Sequence, residues 1–234
     1  MTIAIGINAG LYTILAADTR TTYFLRDSPF HDDDSSKVHK TTMGLITGAG
    51  FCPLLDFVNN RLATETIENT NSMLLVIKQA RKQIRKRWQH YALIDSAIEQ
   101  TGWIFSYFSP IDDKLTLRLG AYHQSLSMDN YVLYGVGDPA IIYPSELSHE
   151  EVDDIHPNIL SRIVIPNNQS EIQSSIQHNA TIIAALILAL SPRCRSISNR
   201  FQIGIHMNGQ RGVSKITDIQ IDGKFELNIT FDNS

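Results

Sequence analysis

Thr2-Ile-Ala-Ile-Gly-Ile-Asn-Ala-Gly-Leu-Tyr-Thr-Ile-Leu-Ala-Ala-Asp18 is the stretch whose reading decides the fold. From Thr2, polar or small residues alternate with Ile3, Ile5 and Ile7, the period of two expected of a half-buried strand. Asn8-Ala9-Gly10 has turn chemistry and residues 11–17 read as a second strand, so the chain opens on a hairpin. An antiparallel pair returns to its start, which brings Asp18 close to Thr2. Thr2 also follows a methionine, and a methionine before a small residue is normally trimmed. A chain beginning at Thr2 carries a hydroxyl nucleophile and, on the same residue, a free amine to act as its base.

Outward from this hairpin the pattern is strands, two helices, strands, two helices, strands. Residues 26–36 read as a polar, acidic loop with Pro29 and the run Asp32-Asp33-Asp34. Residues 37–40 and 43–47 read as short strands, ended by Gly48-Ala49-Gly50. Pro53 stands where the first turn of a helix tolerates proline, and that helix runs through Leu62. A second helix is expected over 72–90. Residues 103–108, 115–122 and 131–136 follow as strands, the first two joined by the Pro110-Ile-Asp-Asp turn. The second helix pair is 149–163, despite Pro157, and 170–190, capped by Ser170 and ended by Pro192. Strands at 201–207, 212–221 and 225–231 close the chain, with Asn208-Gly209 and Asp222-Gly223 as hairpin turns. Helix pairs set between antiparallel hairpins imply an α+β fold, a four-layer αββα sandwich of two antiparallel sheets with helices outside. An α+β single-sheet fold fits the same periodicities. With no repeat and no linker, 1–234 reads as a single domain.

Composition excludes several function classes. A net charge of −4 leaves no electrostatic footprint for nucleic acid or a membrane surface. Lys78, Arg81, Lys82, Arg85, Lys86 and Arg87 form a basic helical face, but no aromatics interleave, so it reads as solvated or as a subunit contact. The isolated Cys52 and Cys194 suggest neither zinc nor a disulfide framework, and Cys52 reads as a buried structural cysteine. His31 beside Asp32, Asp33 and Asp34 reads as loop, since consecutive side chains point apart. No metal or cofactor is expected. The longest apolar run, 182–190, is too short to span a bilayer. The opening lacks the basic start and apolar core of a signal peptide, so a cytoplasmic, reduced chain is expected and the glycosylation triplets at Asn168, Asn179 and Asn228 are idle.

Lys37 and Gly48 extend the hairpin into a chemical constellation. A lysine near an amino terminus lowers that amine's pKa, and from roughly 7.7–8.0 only a small depression keeps it neutral and basic. Asp18 is expected to hold the lysine ammonium and offset its burial. Gly48, at a strand-to-helix turn, is expected to offer a backbone N–H as an oxyanion site.

In order, Thr2-Ile-Ala-Ile-Gly, Ala16-Ala-Asp-Thr-Arg, Lys37-Val-His-Lys and Thr47-Gly-Ala-Gly resemble the proteasome β-type family of amino-terminal-nucleophile hydrolases, over about the first quarter of the chain. The resemblance implies Thr2 as nucleophile, Asp18 and Lys37 as the tuning pair and Gly48 as the oxyanion glycine. It implies that Thr22 and Gly50 receive substrate backbone as an added strand, and that Thr21, Ser35, His39 and Ile46 lie at the first specificity pocket. The family's Gly-Ser-Gly is replaced by Gly137-Asp138-Pro139, and its Asp-x-x-Ser-Gly-Gly by Arg193-Cys-Arg-Ser196-Ile-Ser198. Asp138 is expected to supply a carboxylate from the other side.

Two functions stay open. One is a threonine hydrolase cleaving amide or peptide bonds through an acyl-enzyme on Thr2 once Met1 is removed. The other is a catalytically silent structural or regulatory subunit. The resemblance suggests a homo-oligomer, ring-shaped or stacked, and says nothing of an ATPase partner.

Overall fold

The opening hairpin lies inside the first sheet of the computed structural model, which describes residues 2–25, 28–111, 114–123, 126, 130–207, 210–216, 225, 227, 229 and 231–233. Strands β1 (Ala4–Asn8) and β2 (Thr13–Asp18) pair antiparallel, Ala4 against Ala17 and Asn8 against Thr13. Then come β3 (Thr21–Leu25), β4 (Ser28–Asp32), β5 (His39–Lys40) and β6 (Gly44–Ala49). Helices α1 (Cys52–Thr64), α2 (Thr70–Arg87) and α3 (Ile94–Glu99) precede β7 (Gly102–Ile111), β8 (Lys114–Tyr122), β9 (Val132–Tyr134) and β10 (Pro139–Ile142). The chain continues through α4 (His149–Leu160), a 3-10 turn at Gln169–Glu171 and α5 (Ile172–Leu190) to β11 (Phe201–Met207), β12 (Gln210–Ile216) and β13 (Phe231–Asn233).

Among the described residues, the strands form a six-stranded sheet of order β10-β1-β2-β11-β12-β13, a five-stranded sheet of order β5-β6-β7-β8-β9, and the separate hairpin β3-β4. Three apolar clusters fix the layering. Ala4, Leu15, Val38, Leu45, Ile104 and Leu119 fill the space between the two large sheets. The alternate side chains of β1, β2 and β11 face α5, where Ile176, Ile183 and Ile187 meet Ile3, Ile5 and Ile203. The outer face of the second sheet meets α1, α2 and α3 through Leu54, Val58, Ile77, Ile98 and Trp103. The fold is therefore α+β, two antiparallel sheets face to face with helices on both outer sides, as in an amino-terminal-nucleophile hydrolase.

Several elements differ from expectation for local reasons. The anticipated loop at 26–36 contains β4, paired with β3 (Thr21 opposite Asp32, Tyr23 opposite Phe30). The β-branched and aromatic run from Thr21 to Leu25 favours a strand, and a two-stranded hairpin tolerates the missing donor of Pro29. Helix α3 is short and rests on Ile94 and Ile98, one turn apart and both buried. Pro157 sits within α4. Here the start is reinforced by a capping box, Ser148 Oγ accepting from Glu151 N–H and the Glu151 carboxylate accepting from Ser148 N–H. Met1, Asp112, Asp113, both expected hairpin turns at 208–209 and 222–223, residues 217–221 of the expected strand, and Asn228 lie outside the described residues.

Asn179 explains why one glycosylation triplet is idle in the folded chain. Its side chain is fully buried, donating to Tyr12 Oη at 2.7 Å and to the Val164 carbonyl at 2.8 Å while accepting from Val164 N–H.

His206 joins the sheets. It lies on β11 almost fully buried, with Nδ1 2.9 Å from Ser106 Oγ on β7. Burial, aided by the charge of Arg211, pushes its pKa down to about 4. A histidine depressed from about 6.5 contributes stability that is fully present above pH 6.5 and is lost as pH falls towards 4. Between pH 7 and pH 5 the wild-type chain should thus lose about 2 kcal/mol more stability than His206→Gln. Urea unfolding of both proteins at the two pH values measures this; equal losses would refute it.

Candidate functional site

Asp18 is the last residue of β2, and β11 runs alongside with Phe201 opposite it. That register brings the segment before β11 to the same point as the amino terminus and the turn after β2. Asp18 is fully buried there. Oδ1 accepts the N–H of Ile3 at 3.0 Å, and Oδ2 accepts those of Arg20 at 2.9 Å and Ser198 at 3.2 Å. Burial pushes its pKa up to about 6, against the lowering effects of Lys37 and the three backbone bonds. The carboxylate is therefore predominantly ionised at neutral pH.

Lys37 meets Thr2 directly. Its ammonium, also buried, donates to Thr2 Oγ1 at 2.5 Å and to the Arg20 carbonyl at 2.7 Å. The Thr2 hydroxyl donates to the same carbonyl at 3.2 Å. The expectation that Asp18 grips the ammonium needs correcting. Asp18 fixes the Arg20 N–H, and the lysine is held by the Arg20 carbonyl, so the two charges are linked through the backbone of residue 20 and by their field. Gln202 on β11 steadies the lysine from behind, its Oε1 accepting from the N–H groups of Lys37 at 2.7 Å and Val38 at 2.8 Å.

The Arg20 side chain braces the same region. Its guanidinium grips the Asp33 carboxylate with bonds of 2.5 and 2.7 Å and donates to the carbonyls of Arg195 and Ile197. That bidentate contact lowers the Asp33 pKa. One member of the acidic run is thus a strut. Among the described residues, no group of three histidine, cysteine or acidic side chains is placed to hold a metal. No helix there is long and apolar enough to cross a membrane.

A cavity of about 210 Å³ opens beside Lys37. Thr21, Ser35, Ser36 and Gly48 form part of its wall, and Cys52, Leu55, Asp56 and Asn59 of α1 form the rest. β5 ends opposite Ile46, so Thr47 and Gly48 run on without a strand partner on that side. No side chain fits at Gly48: a Cβ there would lie 2.7 Å from Leu55 Cδ2 and 2.8 Å from the Gly102 carbonyl oxygen. Gly50 has φ +132°, a conformation that favours glycine and turns the chain from β6 into α1.

The remaining expected site residues fall as follows. Thr21 and Ser35 line the cavity. Thr22 lies next to Thr21 on β3, its Oγ1 3.0 Å from His31 Nδ1. Ile46 is fully buried in the cluster that α1 and α2 form on the second sheet and is not part of the cavity wall, so its expected place in a substrate pocket is corrected: it shares the helix-facing side of β6 with Gly48 but is covered by core side chains. Cys52 is only partly buried and lines the cavity, so it is not the enclosed structural cysteine expected.

Asp138 is also corrected. β10 pairs with β1 so that Pro139 faces Ile7 and Ile142 faces Ala4. Asp138 therefore lies by Asn8, at the end of β1 away from Thr2, and Gly137 N–H donates to the Asn8 carbonyl. The other end of β10 leads past Thr2 towards Glu146, whose Oε1 accepts the Ser196 N–H at 3.1 Å. Sequence reading missed Glu146, Gln202 and Asp56. The acidic Glu146 shortly after an apolar tetrapeptide was the one visible signal, and it needed the β10 register to have meaning.

The chain matches no protein-family model and no curated protein sequence. It is similar in structure to Anbu from Hyphomicrobium sp. strain MC1. A (Gly-1) mutant of Anbu aligns with TM-score 0.61 at 14% identity, over 95% of this chain and 90% of that one. A second Anbu structure aligns with TM-score 0.58 at 14% identity, over 94% and 90%. At that identity the likeness is one of fold. It also corrects the resemblance drawn from the opening motifs: both of these structures are Anbu, where the motifs pointed to proteasome β-type subunits.

Gly48→Ala should lower stability by about 1–3 kcal/mol, because the added methyl presses on backbone as well as on Leu55. Denaturant unfolding measures the loss, and an unchanged midpoint would show that α1 yields freely.

Proposed function

We propose that this protein is an amino-terminal threonine hydrolase acting on amide or peptide bonds. The observation that carries the reading is the 2.5 Å contact between Lys37 Nζ and Thr2 Oγ1, beside a cavity walled by Gly48. Thr2 Oγ1 attacks the substrate carbonyl carbon, and its proton passes to the free amine of the same residue. The Lys37 ammonium stabilises the forming alkoxide, and the Gly48 N–H receives the oxyanion. Collapse expels the amine product, which takes the proton, and water then hydrolyses the ester on Thr2. Thr22 and Gly50 flank the cavity where a substrate backbone would add as a strand.

The base exists only when Met1 has been removed, since an amide nitrogen at residue 2 accepts no proton. Removal of Met1 is thus part of the proposal. So is a homo-oligomer, in which exposed apolar side chains such as Leu75 and Leu93 would be covered. A reducing compartment suits the two free cysteines.

Thr2→Ala should abolish peptide-amide turnover and covalent labelling by a threonine-directed electrophile, whereas Thr2→Ser keeps both. Lys37→Ala should cost about 10²–10³-fold in kcat. Intact mass of the purified protein should show loss of one methionine. A retained methionine together with no amide turnover and no labelling of Thr2 in the wild-type chain would favour the silent structural subunit instead.

A pH profile adds a second test. Asp18 must be ionised to support the lysine, so kcat/KM should fall as pH drops through about 6. Asp18→Asn should be poorly active throughout and lack the component of the acid limb near pH 6, keeping only the one set by the Thr2 amine. A component near pH 6 that survives the substitution would assign it to another group.

A further inference from the structure

We propose that the cavity beside Lys37 is a subsite for a cationic side chain, lysine or arginine, on the acyl side of the scissile bond. The proposal rests on the hydrolase reading above and names the substrate class. Its basis is the stripe that α1 presents. Cys52, Leu55, Asp56 and Asn59 are spaced at i, i+3, i+4 and i+7, so one face of the helix makes a continuous wall. Asp56 lies about 6 Å along the helix axis from Cys52. The long stems of lysine and arginine cross that distance and a short aliphatic side chain does not.

The chemistry of the wall is polar. Thr21, Ser35, Ser36 and Asn59 supply hydroxyl and amide groups, and Leu55 is its one large aliphatic side chain. Pockets for apolar ligands are lined the other way, by hydrophobic and aromatic side chains with few polar groups.

The two charges in the wall differ in how they are engaged. The Lys37 ammonium is bonded to Thr2 Oγ1 and the Arg20 carbonyl. Asp56 is exposed at the cavity mouth, no hydrogen bond or ion pair from the described residues reaches its carboxylate, and its titratable neighbours are His39 and Lys37. Partial burial raises its pKa, with His39 and Lys37 opposing. A cation entering the cavity therefore meets a solvent-exposed carboxylate that no protein donor holds, whereas an anion meets that carboxylate and a lysine with two of its three donors already engaged. An arginine would satisfy Asp56 with two bonds and a lysine with one, while Asn59 and the hydroxyls complete the shell.

Two measurements on the full-length, methionine-trimmed protein test this. In the first, fluorogenic peptide amides differ only in the residue before the bond: arginine, lysine, leucine, phenylalanine or glutamate. The expected kcat/KM for arginine and lysine exceeds that for leucine and phenylalanine by at least about tenfold. Asp56→Asn should collapse the arginine-to-leucine ratio towards one, and Asp56→Glu should restore part of it. In the second, acetyl-Ala-Ala-Arg-amide and its leucine counterpart are titrated by NMR into the Thr2→Ala protein, where no chemistry occurs. Binding of the arginine peptide that Asp56→Asn abolishes supports the subsite whether or not the enzyme turns over. Preference for leucine, phenylalanine or glutamate, or equal binding of the two peptides, overturns it. Failure of the hydrolase reading shows separately, as turnover that Thr2→Ala does not remove.

Discussion

Everything at the candidate site depends on one buried anion. Taking the Asp18 carboxylate out of water costs several kcal/mol, and the chain meets that demand by bringing three backbone N–H groups to it. They come from Ile3, Arg20 and Ser198, which belong to the amino terminus, the turn after β2 and the approach to β11. Satisfying one carboxylate therefore ties three distant segments together. Thr2 precedes one of these donors, and the carbonyl of Arg20 is what both Thr2 and Lys37 use. A raised pKa of about 6 means that the ionised form remains costly even so. The arrangement favours the chemistry of a charged pair over stability, a common tension where function requires an ionised group in a dry place.

How much of this was legible follows from where the information resides. The alternation of Ile3, Ile5 and Ile7 and the turn at Asn8-Ala9-Gly10 specify a hairpin locally, so Asp18 could be placed near Thr2 without knowing the fold. Lys37 stands just before β5 and Gly48 near the end of β6, close enough to the expected strand ends that both followed from the same logic. Arg20 and Gln202 did not, because each acts through partners far away in the chain. Arg20 reaches carbonyls 175 and 177 residues on, and Gln202 holds N–H groups 165 and 164 residues back. Backbone acceptors leave no residue-type signal in a sequence.

The error at Asp138 has a different origin. A four-residue strand beginning with proline shows no alternation, so β10 was invisible, and with it the register that carries Asp138 away from Thr2. The same register leads Glu146 towards the amino-terminal end. Burial would raise the pKa of Glu146, but its bonds with Ser196 help hold it below the usual carboxylate value. The segment that lacks the Ser-Gly-Gly pattern is therefore not idle. Ser196 N–H serves Glu146 and Ser198 N–H serves Asp18, and a backbone N–H does this work for almost any side chain.

The two halves of the cavity are built on different principles, and this bears on how such a site diversifies. On the side of Lys37, which reaches out of the wall to Thr2, the site is held by the Arg20 carbonyl and by the buried Asp18, so a substitution there disturbs the sheet or the buried anion. The other half is the stripe of α1 side chains. Asp56 and Asn59 project from a helix whose seat in the core depends on Leu54, Leu55, Val58 and Leu62. Asp56 and Asn59 can change while those contacts persist, whereas Leu55 belongs to both the stripe and the core. On the proposed reading, chemistry at residue 2 and choice of substrate rest on structurally separable elements, so that one reaction could be carried across different substrates by varying one helical face.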